Sequence, residues 1–76
     1  MPDTETRLIL CFQAVFPELS DSDAKRASIN RVTEWDSVAT VTLAAAVEEE
    51  FGIHFPPQDI EKLTSFERFM IRLDQL

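Results

Sequence analysis

From Asp36 the chain runs to Gly52 without an intervening glycine or proline, and this stretch constrains the fold more than any other. Asp36 and Ser37 are residue types that start helices, and Gly52 is the type that stops them. At about 100° per residue, Val41, Ala44, Val47 and Phe51 fall on one stripe flanked by Leu43 and Thr40. Ala39, Thr42, Ala46, Glu49 and Glu50 fall on the other side. The spacing therefore predicts an amphipathic helix, held to a bundle by Val41, Leu43, Val47 and Phe51.

The flanking segments supply faces for that helix to pack on. Leu8, Phe12, Val15, Phe16 and Leu19 recur near helical spacing, predicting a first helix from about Glu5 to Phe16, with Asp3 or Thr4 as its cap and Pro17 beyond it. Ser20 to Asp36 is polar and reads as a long connection. Ser20 and Asp23 have the spacing of a capped turn, and one helical turn is expected around Ala24 to Ser28. Ile29, Val32 and Trp35 are expected to pin this connection to the body. Beyond Gly52, Ile53 and Phe55 read as extended. Pro57 starts a short helix through about Lys62. Thr64 and Glu67 form a capping-box pattern, and Phe66, Phe69, Met70 and Leu73 give a last helix from Ser65 to about Asp74.

No stretch alternates long enough to require a sheet, and a single glycine leaves little material for hairpins. The expected fold is all-α: a small four-helix bundle with a long loop between helices 1 and 2 and a short third helix. A chain of 76 residues hides only about 60% of its extended surface, so residues 1–76 are expected to form one domain with its Phe residues and Met70 in the core. Such an interior leaves little room for a catalytic pocket.

Charge and composition exclude several functions. Fourteen acidic residues against seven basic ones give a net charge of −7, which repels nucleic-acid backbones and favours a partner surface carrying Lys or Arg. Cys11 is the only cysteine and lies among apolar neighbours, so it reads as a buried packing residue. His54 is the only histidine and reads as surface or loop packing, leaving no catalytic residue and no metal site to nominate. Glu48, Glu49 and Glu50 point about 100° apart on a helix and cannot converge on one ion, so they form a solvated or docking face. No apolar run approaches a membrane span, and the cytoplasm is the expected location.

Ser37 stands out because a phosphate on its oxygen would lie beside free backbone N–H groups at the positive end of the helix. On helix-start chemistry alone, Asp36 or Ser37 would simply be the cap. Asp36 is placed to steer a modifying enzyme's metal or basic groups, but unpaired it would repel a phosphate.

The run "WDSVATVTLAAAVEEEFGIHF" resembles acyl carrier proteins and related peptidyl carrier domains, in which an Asp-Ser-Leu motif opens the second helix. The similarity continues through "PPQDIEKLTSFERFMIRL" and spans about Leu8 to Leu73. Trp35, just before the motif, resembles that of stand-alone bacterial carriers. The resemblance implies a 4'-phosphopantetheine arm, taken from coenzyme A by a phosphopantetheinyl transferase and attached to Ser37. Asp36 matches the motif's Asp, and Val38 replaces its Leu near the arm. The implied function is to carry acyl or aminoacyl groups as thioesters to partner enzymes: an acyl- or aminoacyl-activating enzyme, then an acyltransferase, synthase or other thioester-using enzyme. Fatty-acid carriers have acidic residues where this chain has Ala39 and Thr42, so carrier chemistry is implied more firmly than that pathway. The expected docking face comprises Val38, Ala39, Thr42, Ala46, Glu49 and Glu50. The competing expectation is a helical interaction module of the same fold that is never modified.

Overall fold

A computed structural model of the chain describes residues 3–75. They form α1 (Thr4–Val15), α2 (Asp21–Lys25), α3 (Ser37–Phe51), α4 (Pro57–Ile60) and α5 (Phe66–Asp74), with no strand among the described residues. The four helices expected from the sequence are α1, α3, α4 and α5. The added α2 sits within the long connection.

Local capping chemistry sets each start. Asp3 rather than Thr4 caps α1, its carboxylate accepting the Thr6 N–H at 2.8 Å. Ser20 Oγ accepts from Asp23 N–H at 3.1 Å, which places the connector's helix at Asp21–Lys25 and not at Ala24 to Ser28. Of the segment expected to be helical, Ala24 and Lys25 belong to α2, whereas Ala27 and Ser28 leave the helix. Ile29 N–H donates to Thr64 O at 2.9 Å and Phe66 N–H to Ala27 O at 3.0 Å, an isolated antiparallel bridge between Ser28 and Ser65. The same bridge holds Ser65 extended, and Ser65 rather than the expected Thr64 is the cap, its Oγ accepting from Arg68 N–H. Pro57 occupies the first turn of α4, which ends at Ile60 and turns through Lys62.

The core is organised around Phe12. Its ring meets Trp35, Phe66 and Phe69 edge-on at 5.5, 5.2 and 5.5 Å, tying α1 to the connector and to α5. Each such ring contributes roughly 1.5–3 kcal/mol through burial, so a few of them dominate the stability of so small a body. Val32 and Trp35 anchor the connector as expected, whereas Ile29 is partly exposed and holds the connector through its backbone. Met70 is half-buried and packs against the core's edge.

The buried stripe of α3 is rotated from the one the wheel predicts. Thr40, Leu43, Ala44 and Val47 are buried, Phe51 is half-buried, and Val41 lies outside at 57% exposure. The cause is a polar residue turned inward: Thr40 Oγ1 accepts the Trp35 indole N–H at 2.7 Å and donates to Asp36 O at 3.1 Å. Satisfying the buried indole N–H fixes the helix's phase and moves Val41 one step out. Gly52 ends α3 at φ 66°, a left-handed conformation suited to glycine, and its N–H returns to Glu48 O.

Candidate functional site

The start of α3 places the serine singled out by sequence. Asp36 is the cap: its Oδ1 accepts the Ala39 N–H at 2.8 Å while its carbonyl accepts the Thr40 N–H at 3.0 Å. Ser37 is therefore the first helical residue and not the cap. Its side chain is exposed, and its hydroxyl has no hydrogen-bond partner among the described residues. The Ser37 and Val38 N–H groups likewise have no acceptor among the described residues. The Asp36 carboxylate is turned to the helix end, where the helix dipole offsets its charge.

A phosphate esterified to Ser37 fits this arrangement. Two open N–H donors and the positive end of a fifteen-residue helix favour an anion there. The oxygen is accessible, and the backbone beneath it is held by the Asp36 cap and the Trp35–Thr40 bond.

The expected docking residues are not one continuous outer face. Val38, Thr42 and Glu49 are exposed, whereas Ala39 and Ala46 are half-buried and pack against the core. Glu50 is occupied: its carboxylate meets Arg7 Nε at 2.8 Å and its carbonyl accepts from the same guanidinium, which also stacks 4.3 Å from the Phe51 ring. Arg7 thus serves the carbonyl end of α3, where a cation is favoured. Glu50 is nevertheless exposed, with its carboxylate engaged within the chain by Arg7. Glu48 is structural as well, accepting the Phe55 N–H at 2.7 Å and pairing with the exposed His54 at 3.1 Å. Glu49 has no ion-pair partner among the described residues.

Two residues of the outer face escaped the sequence reading. Val41 and Ala45 are exposed on the same side as Val38, Thr42 and Glu49, giving α3 an outer surface that is mainly apolar with its acidic group at the far end. The signal was present in Thr40: placing its hydroxyl inward, opposite Trp35, rotates the wheel into the observed phase.

The other chemically notable side chains lie apart from Ser37 in role. Cys11 is buried, with its thiol 3.9 Å from Ala46 O. Desolvation, aided by the negative charge of Glu50 and opposed by Arg7, pushes its pKa up to about 11, so it is a protonated packing residue at neutral pH. Among the described residues, no group of three or more His, Cys, Asp or Glu side chains is placed to hold a metal. No described helix is long and apolar enough to cross a membrane.

An exposed, unengaged serine at the entrance of the longest described helix is compatible with a phosphate-linked group there. The comparison with protein families agrees: the phosphopantetheine attachment site family matches residues 33–72, more than half of the chain, and the chain belongs to that family. The prosthetic group of the family is covalent 4'-phosphopantetheine, and its domains are typically non-catalytic thioester carriers. No solved structure is a significant match to this chain.

Proposed function

We propose that Ser37 is the attachment residue and that residues 1–76 act as one carrier unit with no catalytic group of their own. The observation carrying this reading is the free Ser37 hydroxyl at the start of α3, inside the family-matched span. Ser37 Oγ forms a bond to the phosphorus of the pantetheine half of coenzyme A as the diphosphate bond breaks. The adenosine half leaves with its phosphates, and the hydroxyl proton passes to a base on the transferase. When bound, the arm supplies a thiol that holds an acyl or aminoacyl group as a thioester.

The chain's own residues position the arm. Asp36 holds the helix start, the Ser37 and Val38 N–H groups would receive the phosphate, and the bundle keeps the attachment point exposed. Tethering replaces diffusion of a free intermediate by a high local concentration at each docked enzyme. Val38, Val41, Thr42, Ala45 and Glu49 form the surface offered to the transferase, the activating enzyme and later thioester-using enzymes. The supply of coenzyme A and transferase places this function in the cytoplasm.

Incubation with coenzyme A and a broad-specificity phosphopantetheinyl transferase tests the reading by intact mass. One phosphopantetheine increment, lost in Ser37→Ala, is expected. A folded chain that gains nothing with several competent transferases would instead be an unmodified interaction module.

A further inference from the structure

With fourteen acidic residues in the chain, each of its seven basic ones has carboxylates to choose from. Arg7, Lys25, Arg26 and Arg72 form ion pairs within the chain. Arg31, Lys62 and Arg68 have no ion-pair partner among the described residues. Lys62 and Arg68 line one cleft of about 370 Å³ together with Arg72. The one carboxylate that lines it with them, Asp59, is already bonded to Arg72 Nη2 at 3.1 Å. That bond holds the Arg72 guanidinium in place and leaves the cleft positive on a chain whose net charge is −7.

Helix geometry keeps the other acids out of this cleft. Arg68, Ile71, Arg72 and Gln75 recur at helical spacing as the outer stripe of α5, opposite the buried Phe66, Phe69 and Leu73. Glu67 and Asp74 fall on the flank beyond Ile71, and neither they nor Glu61 line the cleft. Arg68 lies in the first turn of α5, where the helix dipole disfavours a cation, so the helix itself gives no reason for its charge. Ile71 stands 45% exposed among these cations. An apolar side chain with arginines around it suits a protein contact, and the charge selects an acidic one. A nucleic-acid backbone would extend past the cleft into the acidic remainder of the surface, whereas a short acidic segment fits within it.

We infer that this α4–α5 face docks an acidic segment of a partner protein, with Lys62, Arg68 and Arg72 meeting its carboxylates and Ile71 an apolar side chain. The cleft shares no residue with the entrance of α3, and α5 packs on α1 and α2, so an occupant leaves Ser37 uncovered. The inference stands independently of the assignment of Ser37.

The test titrates the ¹⁵N-labelled, unmodified full chain with a synthetic peptide of repeated Glu-Glu-Leu units at low ionic strength and follows the amide shifts. Shifts are expected at Lys62, Arg68, Ile71 and Arg72, with residues 36–38 unmoved, and added salt should abolish them. Reversing both unpaired cations, Lys62→Glu with Arg68→Glu, should weaken binding roughly tenfold. Ile71→Ser should weaken it severalfold in a chain whose far-UV circular dichroism is unchanged. No shifts at these residues, or equal shifts with a Gln-Gln-Leu peptide, overturn the inference. The same shifts on concentrating the chain alone would make a second copy the occupant and overturn it as well.

Discussion

The starts of α3 and α5 carry the same residue type and use it differently. At α5, Ser65 is itself the cap: its Oγ accepts from Arg68 N–H at 3.1 Å, its backbone pairs with Ser28, and Phe66 beside it is buried against Phe12. At α3, Asp36 caps, Ser37 follows with a free hydroxyl, and Val38 stands 70% exposed. One entrance is sealed into the fold and the other is left open above it. A serine becomes available for modification here because the residue before it has taken over the capping role.

That contrast is breakable by substitution. The largest difference is expected one residue past each serine: Phe66→Ala should lose about 3–5 kcal/mol in denaturant unfolding, whereas Val38→Ala should stay within about 0.5 kcal/mol of the parent. Equal losses would mean that the α3 entrance is packed after all. At the serines themselves, Ser65→Ala should cost about 1 kcal/mol through the lost cap, and Ser37→Ala should leave the unfolding midpoint nearly unchanged.

The smallest effect concerns a third entrance, that of α1. The Thr6 backbone N–H, the largest influence, holds the Asp3 carboxyl below its ordinary pKa, with the Lys25 charge adding in the same direction. A carboxyl whose pKa is lowered by folding stabilises the fold above its unfolded pKa, and the gain disappears as pH falls through the lowered value. Asp3→Asn should therefore keep the cap and flatten the acid limb of a stability profile below about pH 4. A variant with an acid limb as steep as the parent's would remove Asp3 from that role.

The fold's legibility follows the strength of its local signals. Asp36, Gly52 and Pro57 mark their helix ends directly because capping, left-handed φ and a missing N–H are properties of single residues. The connector was less readable. Its course depends on Ser28 meeting Ser65, a pairing between residues distant in sequence that moved both the α2 placement and the α5 cap. The phase of α3 also depends on a partner, the Trp35 indole, and its three central alanines give too little amphipathic contrast to fix the phase alone. Ser37 was visible because its position in the helix and the family motif coincide. The outer face of α3 was only half legible, since the tie between Glu50 and Arg7 and the outward turn of Val41 arise from tertiary packing.

Site mapping of the modified chain bears most directly on the open entrance of α3. After transferase treatment, proteolytic fragments sequenced by mass spectrometry should carry the whole phosphopantetheine increment on Ser37, with Ser20 and Ser65 bare. An increment located on either capping serine, with Ser37 unmodified, would contradict the account.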